Sequence, residues 1–198
     1  MSNAAIPPIV FSYHQSHARV LHVLEDLSDE QFQHRASPTV HAISFTVWHL
    51  ARWADHLQAH LPAMNTELGR RLGERPQLWL QAGLAARWGF QPSVLGYHET
   101  GMRMEEEAAA TIRFPAKEVV LDYARRAFAA ADAAIGALDE NMLAGPNEPE
   151  LRQRSITNLD DRTTVADAIL AHTSHNNRHL GEIECLRGLL GLRGTATQ

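Results

Sequence analysis

Along this chain, stretches in which apolar residues return every three or four positions alternate with stretches broken by Gly and Pro. After Pro7 and Pro8, the residues Ile9, Val10, Tyr13, Ala18, Leu21, Val23, Leu24 and Leu27 keep helical spacing as far as Ser28 and predict a first long helix. Ser28 and Gln31 have the spacing of a capping box, which predicts a short extra turn before a break around Pro38. From Ile43 to Leu61 the segment ISFTVWHLARWADHLQAHL holds no Gly or Pro and ends at Pro62. It predicts a second helix of about five turns, with His49, Trp53, His56 and His60 on one stripe.

The stretch from Pro62 to Phe114 is different in kind. Gly69, Gly73, Pro76, Gly83, Gly89, Pro92, Gly96 and Gly101 break it repeatedly, so it reads as a long irregular crossover with short helices at most. Pro115 suits a first helical position, and AKEVVLDYARRAFAAADAAIGALDE follows with Val119, Tyr123, Ala127, Ala130 and Leu138 in helical register, a third helix. The segment AGPNEPELRQRSITNLDDR reads as a loop. Thr164 and Asp167 then form a second capping box ahead of VADAILAHTSHNNRHLGEIECLRGLLG, a fourth helix that stops near Gly191. Four long helical segments, no alternating strand and one long connection predict an all-α chain. The expected arrangement is a single domain over 1–198, an antiparallel four-helix bundle with a long crossover between helices 2 and 3.

Composition narrows the function classes. The 198 residues are 44% hydrophobic and 21% charged, ordinary for a folded globular chain. Lys and Arg number 18 against 23 Asp and Glu, and the net charge of −5 is spread along the chain with no basic tract, so no nucleic-acid partner is expected. No apolar run approaches the ~20 residues that span a bilayer, and the N-terminal segment lacks a basic leader, so no membrane partner and a cytoplasmic location are expected. Cys185 is the single cysteine; it reads as a small buried apolar residue and rules out a thiolate-cluster zinc site.

Histidine is unusually frequent, at 12 residues. His175 and His179, four apart on the fourth helix, put two imidazoles on one face one turn apart, able to bind one ion together. Metalloprotease helices use the same spacing, but Asn176, Asn177 and Arg178 lie between the two here, with no glutamate base. His172 lies on the same side but ~10.5 Å from His179 along the axis, too far to share the ion, and reads as packing or support. A third ligand must come from another helix, and the second helix offers His49, His56 and His60; of His49 and His56, ~10.5 Å apart, only one can serve.

The segments AHTSHNNRHLGEIECLRGLLG and VWHLARWADHLQAHL resemble the C-terminal and second helices of the DinB-like (YfiT-like) metalloenzyme superfamily, and RWGFQPSVLGYHETG is similar to a connection in some of its subfamilies. The resemblance implies a four-helix bundle, commonly a homodimer. It also implies one divalent ion, nickel or zinc first and manganese or iron next, on His49, His175 and His179, with open positions for water. Where many members carry Gln, this chain carries Glu182.

Some members use a low-molecular-weight thiol such as mycothiol or bacillithiol, so the resemblance implies thiol-dependent S-transferase or isomerase chemistry on a small-molecule electrophile. An open-sided three-His ion can help a thiol lose its proton, as catalytic zinc does for water, and the same position serves a metal-dependent hydrolase. A non-catalytic, metal-stabilised stress or binding protein is the alternative, and an apolar ligand pocket in a metal-free bundle is a third reading. No catalytic side chain is assigned. Arg52 and Arg178 read as candidates for an anionic group of the substrate or as solvated helix-edge arginines. Trp48 reads as core, whereas Trp53, Trp79 and Trp88 fit either a pocket mouth or a dimer face.

Overall fold

A computed structural model of the chain describes residues 6–147 and 164–195, and within them the structure is all-helical. Its helices are α1 (Pro8–His22), α2 (Asp29–Gln33), α3 (Ile43–His60), α4 (Thr66–Leu72), α5 (Leu78–Gln81), α6 (Leu84–Arg87), α7 (Glu106–Thr111), α8 (Lys117–Gly136), α9 (Glu140–Ala144) and α10 (Val165–Leu189). Among the described residues two isolated bridges, Tyr97 with Met102 and Pro146 with Thr164, are the only β pairing.

The expected caps form. Ser28 and Gln31 close a capping box on α2, and Thr164 and Asp167 close another on α10, each satisfying backbone donors that a helix start leaves open. Two boundaries differ from expectation. The first helical run breaks at His22 into turns, so α2 is a separate element. The third begins at Lys117 rather than Pro115: its backbone N–H is taken by Asp29 at 2.6 Å, and its ammonium donates to the Leu27 carbonyl at 2.6 Å, which ties this helix start to α2. The loop expected over 144–162 lies outside the described residues from 148 on.

Helix α3 is the centre of the fold. Every residue from Ile43 to Gln58 is buried, so it has no solvent face and its polar side chains must be partnered inside the protein. It packs on α8 and α10, and α1 packs on the same two helices, so the four long helices meet in a closed circuit. One continuous core runs through them, with Trp48, Tyr13, Tyr123, Phe32 and Phe128 fully buried. Burial of Phe32 and Phe128 contributes about 1.5–3 kcal/mol each.

The crossover between α3 and α8 is fastened to α3 by charge. Asp55, wholly buried, accepts from the backbone N–H groups of Leu78 and Trp79 at 2.8 Å each, from Arg52 at 3.1 Å and from the Tyr123 hydroxyl at 3.1 Å. Arg52 is therefore not the solvated helix-edge arginine expected, nor open to a substrate anion; it is 0% exposed and its charge is met by Asp55. Arg178, by contrast, is exposed. Cys185 also departs from expectation: it faces solvent, because the buried stripe of α10 at this level runs through Ile183, Leu186 and Arg187.

Candidate metal centre

Helix α3 delivers His49, and α10 delivers His175 and His179 from successive turns. The Nε2 atoms converge: His49 stands 3.0 Å from His175, and His175 stands 3.1 Å from His179. Two nitrogens bonded to one ion at ~2.1 Å lie ~3.0 Å apart when their bonds are at right angles, so these separations are those of ligands on adjacent positions of a single ion. Among the described residues this is the only group of His, Cys, Asp or Glu that could hold a metal ion.

Two of the three rings are held with the proton on the outer nitrogen. His49 Nδ1 donates to the Thr100 carbonyl at 2.5 Å, and His179 Nδ1 donates to the Glu182 carboxylate at 2.5 Å. Each acceptor holds the proton on Nδ1 and leaves the Nε2 lone pair toward its neighbours. His175 Nδ1 is buried and meets no partner among the described residues. Burial, with His179 next, holds His49 down to about 3, and burial, with His49 and His179 next, pushes His175 far below its ordinary range. Both rings are thus neutral at physiological pH, the form that ligates. Three convergent imidazole nitrogens, two of them with their lone pairs turned inward, suit a shared ion.

The remaining histidines of the stripe do not join them. Trp53 separates the two sets, its ring 6.3 Å from His49 and 6.2 Å from His175 on one side, 5.4 Å from His56 and 5.9 Å from His172 on the other. His56 instead faces His98 at 4.9 Å and lies parallel to His60 at 5.9 Å. Burial above all, and then these neighbouring rings, hold His56 down to about 3. His172, held to about 4 by burial and then by His17 and His60, packs against Trp53. Trp53 thus borders the site, Trp48 is core, and Trp79 and Trp88 pack at 5.1 Å inside the crossover's aromatic cluster.

Residues 12–183 match the family model described as the DinB superfamily. The chain belongs to the DinB superfamily. No curated protein matches it. A solved structure described as a conserved protein from Enterococcus faecalis is similar in fold at 17% identity, with a TM-score of 0.64 over 90% of this chain and 92% of that one. Within this DinB-superfamily chain, the residues that sequence reasoning missed are those of the crossover. Thr100 contributes a backbone carbonyl, which carries no side-chain signature. Gly101 does carry a signal: at φ 84° a Cβ there would lie 2.9 Å from both Phe45 and Trp48 and 3.4 Å from His49 Nδ1, so only glycine lets the crossover pass this close.

Proposed function

We propose that this DinB-superfamily chain is a metal-dependent enzyme that uses His49, His175 and His179 to hold one divalent transition-metal ion, nickel or zinc foremost, and that it carries out thiol-dependent transfer or isomerisation on a small electrophile. The convergence of three Nε2 atoms, two of them with their Nδ1 protons anchored, carries this reading. When bound, the ion supplies Lewis acidity that lowers the pKa of a thiol or water at an open position. The group counts three ligands among the described residues, whereas structural zinc sites close on four, which favours catalysis over a purely stabilising ion.

The chain's own residues shape what such a site accepts. Trp53 walls one side, its ring 6.3 Å from that of His49. A cavity of about 660 Å³ lies close by. Its lining includes Phe45, whose ring stands parallel to that of His49 at 6.3 Å, along with Ile112, Phe114, Arg35 and Arg113. Asp29 lines it as well, so the cavity offers both apolar surface and charge of either sign. The same reading takes the chain as one domain, an antiparallel four-helix bundle supported by the closed circuit of its long helices, acting as a cytoplasmic homodimer.

The test is metal content by elemental mass spectrometry on protein purified without a nickel column, before and after chelator. Close to one ion per chain is expected, lost in His49→Ala and in the double variant His175→Ala, His179→Ala. Unchanged content in these variants would sink the ligand assignment. Absence of any rate with low-molecular-weight thiols and a panel of electrophiles would sink the transferase assignment, and hydrolysis without thiol would replace it.

A further inference from the structure

Three consecutive carbonyls of the crossover are bound by two residues of α3. Arg52 Nη2 donates to the His98 carbonyl at 2.9 Å and Arg52 Nε to the Glu99 carbonyl at 2.9 Å, and His49 Nδ1 donates to the next, Thr100, at 2.5 Å. The backbone there does not rest in this shape by itself. His98 and Glu99 are adjacent non-glycine residues in the left-handed region, at φ 50° and 54°. Such residues are strained and persist only where their surroundings hold them.

Arg52 is built to hold it. Its remaining donors go to Asp55 at 3.1 Å, Tyr123 at 3.3 Å and Gln77 at 2.8 Å, so all five guanidinium N–H groups are spent in one fixed fan. Trp79 Nε1 adds a bond to the Glu99 carboxylate at 2.6 Å. What this fixes is the Thr100 carbonyl, and with it the proton of His49. The His49 ring has two ways to place that proton. On Nδ1 it meets Thr100; on Nε2 it would point at His175 Nε2, 3.0 Å away, and close the centre with a His–His hydrogen bond.

We propose that Arg52 is a positioning residue of the metal centre: by gripping the His98 and Glu99 carbonyls it presents Thr100 to His49, keeps the proton on Nδ1 and leaves Nε2 open to an ion. This rests on the three-histidine reading of the site. It assigns the buried Arg52–Asp55 pair a purpose beyond stability, and it makes the crossover part of the centre although, among the described residues, no crossover side chain joins the three-histidine group.

Arg52→Lys tests it, because an ammonium with three donors cannot serve both carbonyls, Asp55 and Gln77 together. In the metal-free protein, ¹⁵N–¹H correlation spectra of the histidine rings report which His49 nitrogen carries the proton. Zinc titration of the folded protein reports affinity. Wild type is expected to show the Nδ1–H form, whereas Arg52→Lys gains the Nε2–H form and loses ~10–100-fold in zinc affinity. A merely structural Arg52 would lower the melting temperature and leave both readouts at wild-type values, and that result overturns the proposal. If Arg52→Lys does not fold, Arg52→Met combined with Asp55→Asn removes both buried charges at once, and the same two readouts decide. No zinc binding by wild type would tell against the metal reading itself; wild-type binding with unaltered tautomer and affinity in the variants would tell against Arg52 alone.

Discussion

His49 and Thr100 are separated by 51 residues of sequence, yet the imidazole Nδ1 of the first donates to the carbonyl of the second at 2.5 Å. The contact joins the central helix to the crossover between α3 and α8. The other anchored histidine, His179, is held by Glu182 one turn away on its own helix. Two rings that converge on one point are thus oriented by unlike devices, one long-range and backbone, the other local and charged. They respond differently to substitution.

Glu182 offers the cleaner experiment. Its side chain is 51% exposed, so Glu182→Ala leaves the fold nearly untouched while depriving His179 Nδ1 of its acceptor. Zinc affinity by calorimetric titration is expected to fall ~10-fold or more, with an unchanged melting temperature for the metal-free protein. Glu182→Gln keeps an oxygen acceptor without the charge and should lie between. Equal affinity in all three proteins would mean that the carboxylate does not orient the ring.

Gly101→Ala attacks the long-range device. The added Cβ meets Phe45 and Trp48 at 2.9 Å on a backbone at φ 84°, so strain and overlap act together. A destabilisation of about 1–3 kcal/mol is expected from chemical denaturation. A drop in metal affinity should accompany it, because the Thr100 carbonyl must shift with its neighbour. Gly73, also at positive φ but with no heavy atom near its Cβ position, is the control: Gly73→Ala should cost stability through strain alone and leave affinity intact.

These substitutions also mark what could be read from the sequence. The helices of the fold and the late histidine pair were legible because they rest on periodicity and on i, i+4 spacing, which are local properties. The capping boxes on α2 and α10 were legible for the same reason. The choice of His49 over His56 came from the family resemblance and not from spacing: both lie on one stripe of α3, and residue spacing alone does not say which level of the helix faces α10. Arg52 and Cys185 were misread through the same gap. Burial of a charged residue depends on a partner such as Asp55 and on a crossover laid over it, and exposure of a cysteine depends on which face of α10 meets its neighbours. Glu182 was visible as a departure from the family pattern, but its bond to His179 required the helix to be drawn.

Acid should unfold the metal-free protein through its histidines before its carboxylates. Burial first, then neighbouring rings, hold His56 to about 3 and His172 to about 4, against an ordinary value of 6.5. Between those limits the unfolded chain binds more protons than the folded one. The stability that these two rings contribute is therefore complete above about 6.5, declines as pH falls toward about 4 and levels off below about 3. Asp26, whose carboxyl is held below its ordinary 3.8 by Arg187, adds its loss only at lower pH. Urea midpoints of chelated protein, measured from neutral pH down to about pH 4.5, should fall progressively across this range. A flat profile would mean that the buried rings titrate normally. His56→Gln should flatten part of the slope without altering metal content, since His56 stands apart from the convergent three.

The buried charge pair makes the last prediction. Asp55 takes five hydrogen bonds, from Arg52, Tyr123, Gln58 and the backbone of Leu78 and Trp79, at 2.8 to 3.3 Å. Asp55→Ala would leave the fully buried Arg52 guanidinium without its counter-charge and two backbone donors without an acceptor. Breaking one side of such a pair costs about 3–5 kcal/mol, and at roughly 2–4 °C per kcal/mol for a chain of this size the melting temperature should drop by on the order of 10 °C. Converting Arg52 to Met in the same protein removes the stranded charge, so the double variant should recover part of that loss. Recovery separates the cost of an unpaired ion from the cost of the lost crossover bonds: if the double variant is no more stable than Asp55→Ala, the grip of the carboxylate on Leu78 and Trp79, and not its charge, is what secures the crossover to α3.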